Sequence, residues 1–428
     1  MLNEASYIHL IGIKGQGMTA LAELLCSEGK TVTGSDTNEK FSTDRVLQNL
    51  GIRVHGFRAT NISTRVDLVV RSSAYDDTHM EVRAARGRGI PIMQYGEAIA
   101  ELFNKKRGIL ITGTHGKTTT TAMIGCILED AGFDPVVLVG ATVHKWGRNA
   151  RMGYGEWVVA EGDEYQNKFL LLKPELLVVT SVEYDHPDFF KTKREYEKAF
   201  RKLVASLPPQ GLLIAEKGTR GIFTKIPCKV LWYHIPGTNE GRHWEANQKA
   251  ACIVARHLGI PMKKSLQVLK GFMGTSRRTE FYTKHNAPVV LIDDYAHHPT
   301  EIRTTLADIR RRYPKRRIIS VFQPHTFSRT QALMNEFSRA FTNADEVFLL
   351  PIFSSARERK IDFPKNLTEL LLRRIRLKHR TVCTVSDIAA AVAVLKKRIR
   401  KEKNLVVITL GAGDGWKIIK TLASGKAK

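Results

Sequence analysis

At 428 residues the chain is too long for one ordinary hydrophobic core, and about two to three domains are expected. Its 43% hydrophobic and 25% charged residues suit a soluble globular protein, and no apolar run approaches the ~20 residues that cross a bilayer. With no signal-like N-terminal segment, no membrane insertion and a cytoplasmic location are expected. The net charge of +25 admits nucleic acid as a partner. Much of the excess, however, sits in residues 373–380 and 396–401, two helical patterns with few aromatic residues for base stacking, so nucleic acid is disfavoured and solvated basic faces are expected.

Residues 7–11 read as a buried strand, followed by the turn Gly12-Ile13-Lys14-Gly15-Gln16-Gly17 and a helix to about Glu28. A second strand ends at Gly34-Ser35-Asp36, giving a dinucleotide-type βαβ unit with an acid roughly 20 residues beyond the glycines. Lys14 stands at the second glycine position, where a pyrophosphate must approach the backbone closely. A nicotinamide cofactor is therefore less expected than another anion at the same helix end.

A second series starts with an apolar strand at residues 107–111, which enters Thr112-Gly113-Thr114-His115-Gly116-Lys117-Thr118-Thr119 before a helix leaves it. Glycines let N–H groups turn toward an anion, the helix N-terminus adds its dipole, Lys117 supplies a cation and Thr118 a hydroxyl for Mg²⁺. A full P-loop would have glycine at Ile111, so this is a shorter form. Two later strands, 157–160 and 176–180, run into Glu161, Asp163 and Glu164, and into Glu183, Asp185 and His186. Ligands gather at the carboxyl ends of parallel strands, so these acids are expected to share a crevice with Lys117. Glu161 suits a hard cation, with His186 beside it.

The third series opens near Glu280. Strands at 289–292, 318–321 and 405–410 lead into Asp293-Asp294-Tyr295-Ala296-His297-His298-Pro299-Thr300-Glu301, Phe322-Gln323-Pro324-His325 and Gly411-Ala412-Gly413-Asp414, and a helix starts near Ser328-Arg329. Two adjacent histidines without a third ligand argue against zinc, and five scattered cysteines carry no metal-ligand spacing. Alternating strands and helices predict α/β architecture with mainly parallel sheets, and each restart marks a boundary: 1–106, 107–279 and 280–428.

Together these motifs resemble the Mur ligase family over nearly the whole chain. The resemblance implies three domains: a Rossmann-like N-terminal domain for a UDP-sugar, a central P-loop ATPase-like domain for ATP and Mg²⁺, and a Rossmann-like C-terminal domain for an amino acid. It implies an ATP loop of Gly113, Thr114, His115, Gly116, Lys117, Thr118 and Thr119, with Gly241-Arg242-His243 and Asn247 near the base. Thr118, Glu161 and His186 are the implied metal positions, and Lys117, His186, Arg278 and Asp294 the implied catalytic set, the last two joining the nucleotide when the third domain swings in. Gly12, Gly15 and Gly17, with Asp36 and Ser73, are implied to hold UDP-N-acetylmuramate, which gives the broken fingerprint a reason. His297, His298, His325 and Arg329 are implied to hold L-alanine, Arg329 because a guanidinium suits a carboxylate.

The reaction implied is ATP-dependent acyl-phosphate formation on the sugar nucleotide's carboxylate, then attack by the alanine amine, in peptidoglycan precursor synthesis. Glu161-Gly162-Asp163-Glu164-Tyr165 and Phe189-Phe190 keep open a relative that adds a whole tripeptide, and the basic charge with the phosphate loop keeps open a nucleic-acid-binding ATPase. Trp244 stands where the family commonly has asparagine, and residues 212–241 form a short span, so trimmed central strands and an inactive sugar-nucleotide binder form a further reading.

Overall fold

The computed structural model describes residues 1–41, 43–237, 241–354, 358, 360–379 and 381–425; Arg380 of the basic run lies outside the described residues. Three sheets follow one another along the chain, each with helices on its faces.

The first contains β1 (Tyr7–Ile11), β2 (Thr31–Ser35), β3 (Val54–His55), β4 (Leu68–Arg71) and β5 (Ile92–Gln94), all parallel, in the order β3-β2-β1-β4-β5. Ile8, Leu10 and Ile11 are fully buried, the near-continuous apolar run expected of a strand covered on both faces. Strand order reverses at β1, so the glycine turn after it opens at the sheet's switch point.

The second sheet contains β6 (Arg107–Thr112), β7 (Val136–Val143), β8 (Arg148–Arg151), β9 (Trp157–Glu161), β10 (Leu176–Val179), β11 (Leu212–Glu216) and β12 (Lys229–Tyr233). Its order is β12-β11-β10-β6-β9-β7-β8, with only the β7/β8 pair antiparallel. Register sets Ile111 beside Glu161 and Thr112 beside Val179, which brings the acids after β9 and β10 to the two sides of the phosphate loop. The helix Lys117–Asp130 is buried continuously from Thr118 to Leu128 and shares an apolar cluster with the helix His243–His257. Both β11 and β12 form despite the short span from 212 to 241, so the expected trimming removes neither strand.

The third sheet contains β13 (Glu280–Phe281), β14 (Val289–Asp294), β15 (Arg317–Phe322), β16 (Glu346–Leu349), β17 (Val382–Thr384) and β18 (Leu405–Leu410) in the order β13-β14-β18-β15-β16-β17. Asp294, Leu410 and Phe322 lie in register, so the three loops that follow them meet at one edge. The basic helix Leu367–Arg376 buries Leu371, Leu372 and Ile375 and exposes Arg373, Arg374 and Arg376, which makes its charge a solvated face. No helix among the described residues is long and apolar enough to cross a membrane.

Candidate active site

The turn from β6 into its helix rests on two glycines with positive φ, +131° at Gly113 and +79° at Gly116. A Cβ at Gly113 would lie 2.8 Å from the backbone N of Ser181, and one at Gly116 2.5 Å from Asn247 Oδ1, so both conformation and space demand glycine. Lys117 Nζ donates to the Gly113 carbonyl at 2.5 Å and pairs with Glu164 at 3.0 Å. Glu164 is 1% exposed, accepts from the Tyr196 hydroxyl at 3.1 Å and lies 3.5 Å from His186 Nε2. Burial works to raise its pKa, but Lys117 and His186 hold it down at about 2.

Thr118 Oγ1 donates to Glu161 at 3.1 Å, and the other Glu161 oxygen accepts from Gly140 N at 2.8 Å. A hydroxyl beside a carboxylate at the loop mouth is an all-oxygen donor pair that fits a hard divalent cation. His186, expected beside Glu161, pairs with Glu164 instead. Against its burial, Asp185 and Glu164 raise its pKa.

His115 leaves the loop toward the third unit. Its Nε2 lies 3.4 Å from Glu183 and its Nδ1 3.3 Å from Glu301. Burial alone would lower its pKa; the two glutamates raise it to about 9. The segment after β10 is gripped by the third unit at three further points. Thr300 Oγ1 donates to Glu183 at 2.6 Å, His298 Nε2 lies 3.3 Å from the Tyr184 carbonyl, and Arg329 forks onto Asp185 at 2.7 and 3.2 Å. The third unit is therefore seated on the second, and Arg278 and Asp294 line a cavity beside the loop.

Two cavities share Gly116, Arg278 and Glu301. One, of about 130 Å³, is lined by His115, Trp244, Asn247 and Asp294; the other, of about 320 Å³, by Lys117, Glu161, His186, His297 and Arg329. Asn247 is buried against the loop, and Trp244 packs 5.7 Å from Phe272 while walling the first cavity, so this departure from the family pattern adds apolar surface there. Asp294 accepts from Thr279 N at 2.7 Å, Thr279 Oγ1 at 2.9 Å and Ala296 N at 2.7 Å, folding the interdomain linker onto β14. Arg278 lies 3.7 Å from Glu301 and over the Tyr295 ring.

The two adjacent histidines divide their work. His298 caps the helix Pro299–Arg312: its Nδ1 accepts from Thr300 N at 3.3 Å, which leaves the hydrogen on Nε2 for Tyr184. Burial and the charge of His115 press its pKa down to about 4, and it is not among the residues lining the second cavity. His297 does line it, with Nδ1 3.1 Å from the Tyr295 carbonyl and 3.2 Å from Glu301. His325 stacks on Phe353, and Arg329 Nη1 lies 3.5 Å from its Nδ1. Arg329 borders the cavity, but much of its fork is occupied by Asp185. His115, Glu183 and His298 do bring ligand atoms within 4.8 Å of one another. His115 lies against Glu183 and Glu301, and both nitrogens of His298 are engaged, so the three take part in an ion-pair cluster.

In the first unit, Gly12 (φ +83°) and Gly17 leave room for Tyr75 and Tyr95, whose ring atoms lie 2.7 and 2.6 Å from where Cβ atoms would stand. Gly15 starts the helix Gln16–Ser27. Asp36 accepts from Lys14 N at 2.8 Å and Thr37 N at 2.7 Å. Lys14 Nζ turns to the Thr37 and Glu39 carbonyls at 2.9 and 2.8 Å. Ser73 is exposed and accepts from Lys168 of the second unit at 3.4 Å.

Sequence reasoning missed the roles of Glu164, Asp185 and Glu301. Glu301 had a legible signal: it lies at N3 of a helix that starts His298-Pro299, and it completes a capping box.

Three family models match successive parts of the chain: "Mur ligase family, catalytic domain" over residues 7–107, "Mur ligase middle domain" over 111–252 and "Mur ligase, glutamate ligase domain" over 277–413. The chain belongs to the Mur ligase family. It is 38% identical to a protein of Desulfitobacterium hafniense named UDP-N-acetylmuramate--L-alanine ligase, over 97% of this chain and 99% of that one. A protein of the same name from Desulforapulum autotrophicum is 35% identical over 99% of each. Among solved structures, the UDP-N-acetylmuramate-alanine ligase MurC of Thermotoga maritima superposes with a TM-score of 0.79 at 25% identity, covering 98% of both chains. A murein peptide ligase of Psychrobacter arcticus shares the fold, with a TM-score of 0.71 at 20% identity over 99% of this chain and 100% of its own.

Proposed function

We propose that this chain is an ATP-dependent ligase that joins L-alanine to the carboxylate of UDP-N-acetylmuramate through an acyl phosphate, a step of peptidoglycan precursor synthesis. The observation that carries the reading is the adjacent pair of cavities, which share Gly116, Arg278 and Glu301 and set a phosphate loop, an oxygen donor pair and a small polar pocket side by side. The full-length relatives that bear the alanine ligase name support the same reaction. In this reading residues 1–106 bind the UDP-sugar, 107–279 bind ATP and 280–428 bind the amino acid, and ATP and a UDP-sugar as substrates favour the cytoplasm.

Asn247 and the Trp244 wall would hold the adenine end of ATP, and the loop N–H groups with Lys117 its phosphates. Thr118 and Glu161 would hold Mg²⁺, which supplies charge compensation for phosphoryl transfer when bound. Lys117 exchanges Glu164 for phosphate oxygens, and Glu164 keeps its contact with His186 at the same wall. Arg278 and Asp294 keep the third unit against the nucleotide side, which excludes water from an intermediate that hydrolyses. Gly12, Gly15, Gly17, Asp36 and Ser73 take the UDP end. His297, His325 and Arg329 surround the acceptor in the second cavity.

Parallel turnover assays with ATP, UDP-N-acetylmuramate and either alanine or L-alanyl-γ-D-glutamyl-meso-diaminopimelate test this. ADP release driven by alanine is expected; release driven only by the tripeptide would replace the acceptor, and release driven only by DNA or RNA would replace the reaction.

A further inference from the structure

Alanine reaches its pocket as an ammonium ion, whereas the acyl carbon can be attacked only by an unprotonated amine. Resting on the ligase reading above, the question is which group takes that proton. His115 lies as an imidazolium between Glu183 and Glu301, and His186 turns Nε2 to Glu164 and Asp185 at 3.5 and 3.9 Å. Both His298 nitrogens are engaged, by Thr300 N and the Tyr184 carbonyl. His325 turns Nδ1 toward the Arg329 guanidinium, so that lone pair faces a donor.

His297 differs from all four. Its Nδ1 faces two acceptors, the Tyr295 carbonyl and Glu301, which place the hydrogen there and leave the lone pair on Nε2. Among the described residues Nε2 has no hydrogen-bond partner, and the side chain lines the 320 Å³ cavity with Arg329, Lys117 and His186. Glu301 is braced on both sides: one oxygen accepts from the backbone N–H groups of His297 and His298 at 3.1 and 3.3 Å, and the other faces His115 and Arg278. The charges facing the ring are Glu301 on the helix that follows it, Arg329 on the helix Phe327–Ala332 and Asp185 after β10; Arg278, Lys117 and Glu164 lie on the surrounding cavity wall. Burial, then Arg329, lowers the pKa below its ordinary value, so the ring is neutral at pH 7.

We propose that His297 is the general base of amide formation, its Nε2 taking a proton from the alanine ammonium, and that Glu301 is the positioning residue that fixes its tautomer and orientation. The free amine then forms the C–N bond to the acyl carbon. The acyl C–O bond breaks, phosphate leaves with that electron pair, and the nitrogen's surplus proton goes to phosphate. The proton held by His297 passes to solvent before the next cycle.

Hydroxylamine, already unprotonated at neutral pH, separates proton transfer from the steps before it. His297→Gln should ligate alanine roughly 10²- to 10⁴-fold more slowly at pH 7, with the deficit shrinking as pH rises toward the amine's own pKa. The same variant should form hydroxamate from ATP, UDP-N-acetylmuramate and hydroxylamine within a few-fold of wild type. Equal losses with both amines, or no loss with either, would overturn the assignment. Wild-type protein that forms no hydroxamate would instead refute the acyl-phosphate reading beneath it. Glu301→Gln guards against a folding artefact: removing its charge should move the acid limb of kcat to lower pH, and an unmoved limb would overturn the positioning role. Histidine ¹⁵N NMR should show one ring, absent in His297→Gln, that protonates below the ordinary range on Nε2; a ring protonated at neutral pH would also overturn the proposal.

Discussion

Lys117→Ala should damage stability and chemistry by separable routes. The side chain neutralises Glu164, which is 1% exposed and held at a pKa of about 2. Without the lysine, burial pushes that carboxyl toward or above its ordinary 4.5. A shift of that size corresponds to about 3 kcal/mol at pH 7, and since His186 and Tyr196 keep part of the grip, about 2–3 kcal/mol is expected. For a unit of this size that lowers the thermal midpoint by roughly 4–12 °C. The depressed pKa sets the sign with pH: the ion pair's contribution is full above 4.5 and is lost as pH falls toward about 2, so the wild-type advantage closes over that window. Catalysis should fall at least ~10²- to 10³-fold, because a charge facing the transferring phosphoryl group is gone. Scanning calorimetry and ADP release should be read on Lys117→Ala and on Lys117→Ala/Glu164→Gln. The second substitution removes the stranded charge, so it should restore most of the midpoint and none of the turnover. A single variant as stable as wild type, or a double variant no more stable than the single, would refute this account of the pair.

His115→Gln removes the cation between the second and third units. Because its pKa rises from 6.5 to about 9 on folding, the stabilisation it supplies is full below pH 6.5 and lost as pH rises through about 9. The difference in unfolding midpoint between wild type and variant should therefore be large at pH 6 and close by about pH 10; a pH-independent difference would contradict the ion-pair assignment. Gly116→Ala should weaken nucleotide binding while sparing UDP-N-acetylmuramate, since the new Cβ would meet Asn247 Oδ1 at 2.5 Å and φ is +79°. Calorimetric titration of each ligand distinguishes that from general misfolding.

The three strand-helix series and the phosphate loop were legible because they depend on local chemistry. Buried parallel strands read as apolar runs, and a loop that turns N–H groups toward an anion needs glycine before its lysine. Pairings between units were not legible. Arg329 and Asp185 stand 144 residues apart in sequence, and nothing in either neighbourhood signals that the guanidinium is taken. Glu161 and Glu164 sit three positions apart in one acidic cluster. Only the ending of β9 at Glu161 and the chain's return toward Tyr196 separate the carboxylate beside Thr118 from the one that holds Lys117. The division of His297 from His298 was half legible, since Pro299 at N1 and Glu301 at N3 mark His298 as a cap. That the same glutamate reaches His115 depends on how the third unit sits on the second.

The central claim is that the sugar nucleotide's carboxylate is activated by phosphoryl transfer before the amine attacks. UDP-N-acetylmuramate labelled with ¹⁸O in that carboxylate, turned over with ATP and alanine, tests it most directly by mass spectrometry of the released phosphate. The account predicts a single ¹⁸O in each phosphate and none in ADP; unlabelled phosphate alongside full amide formation would contradict it.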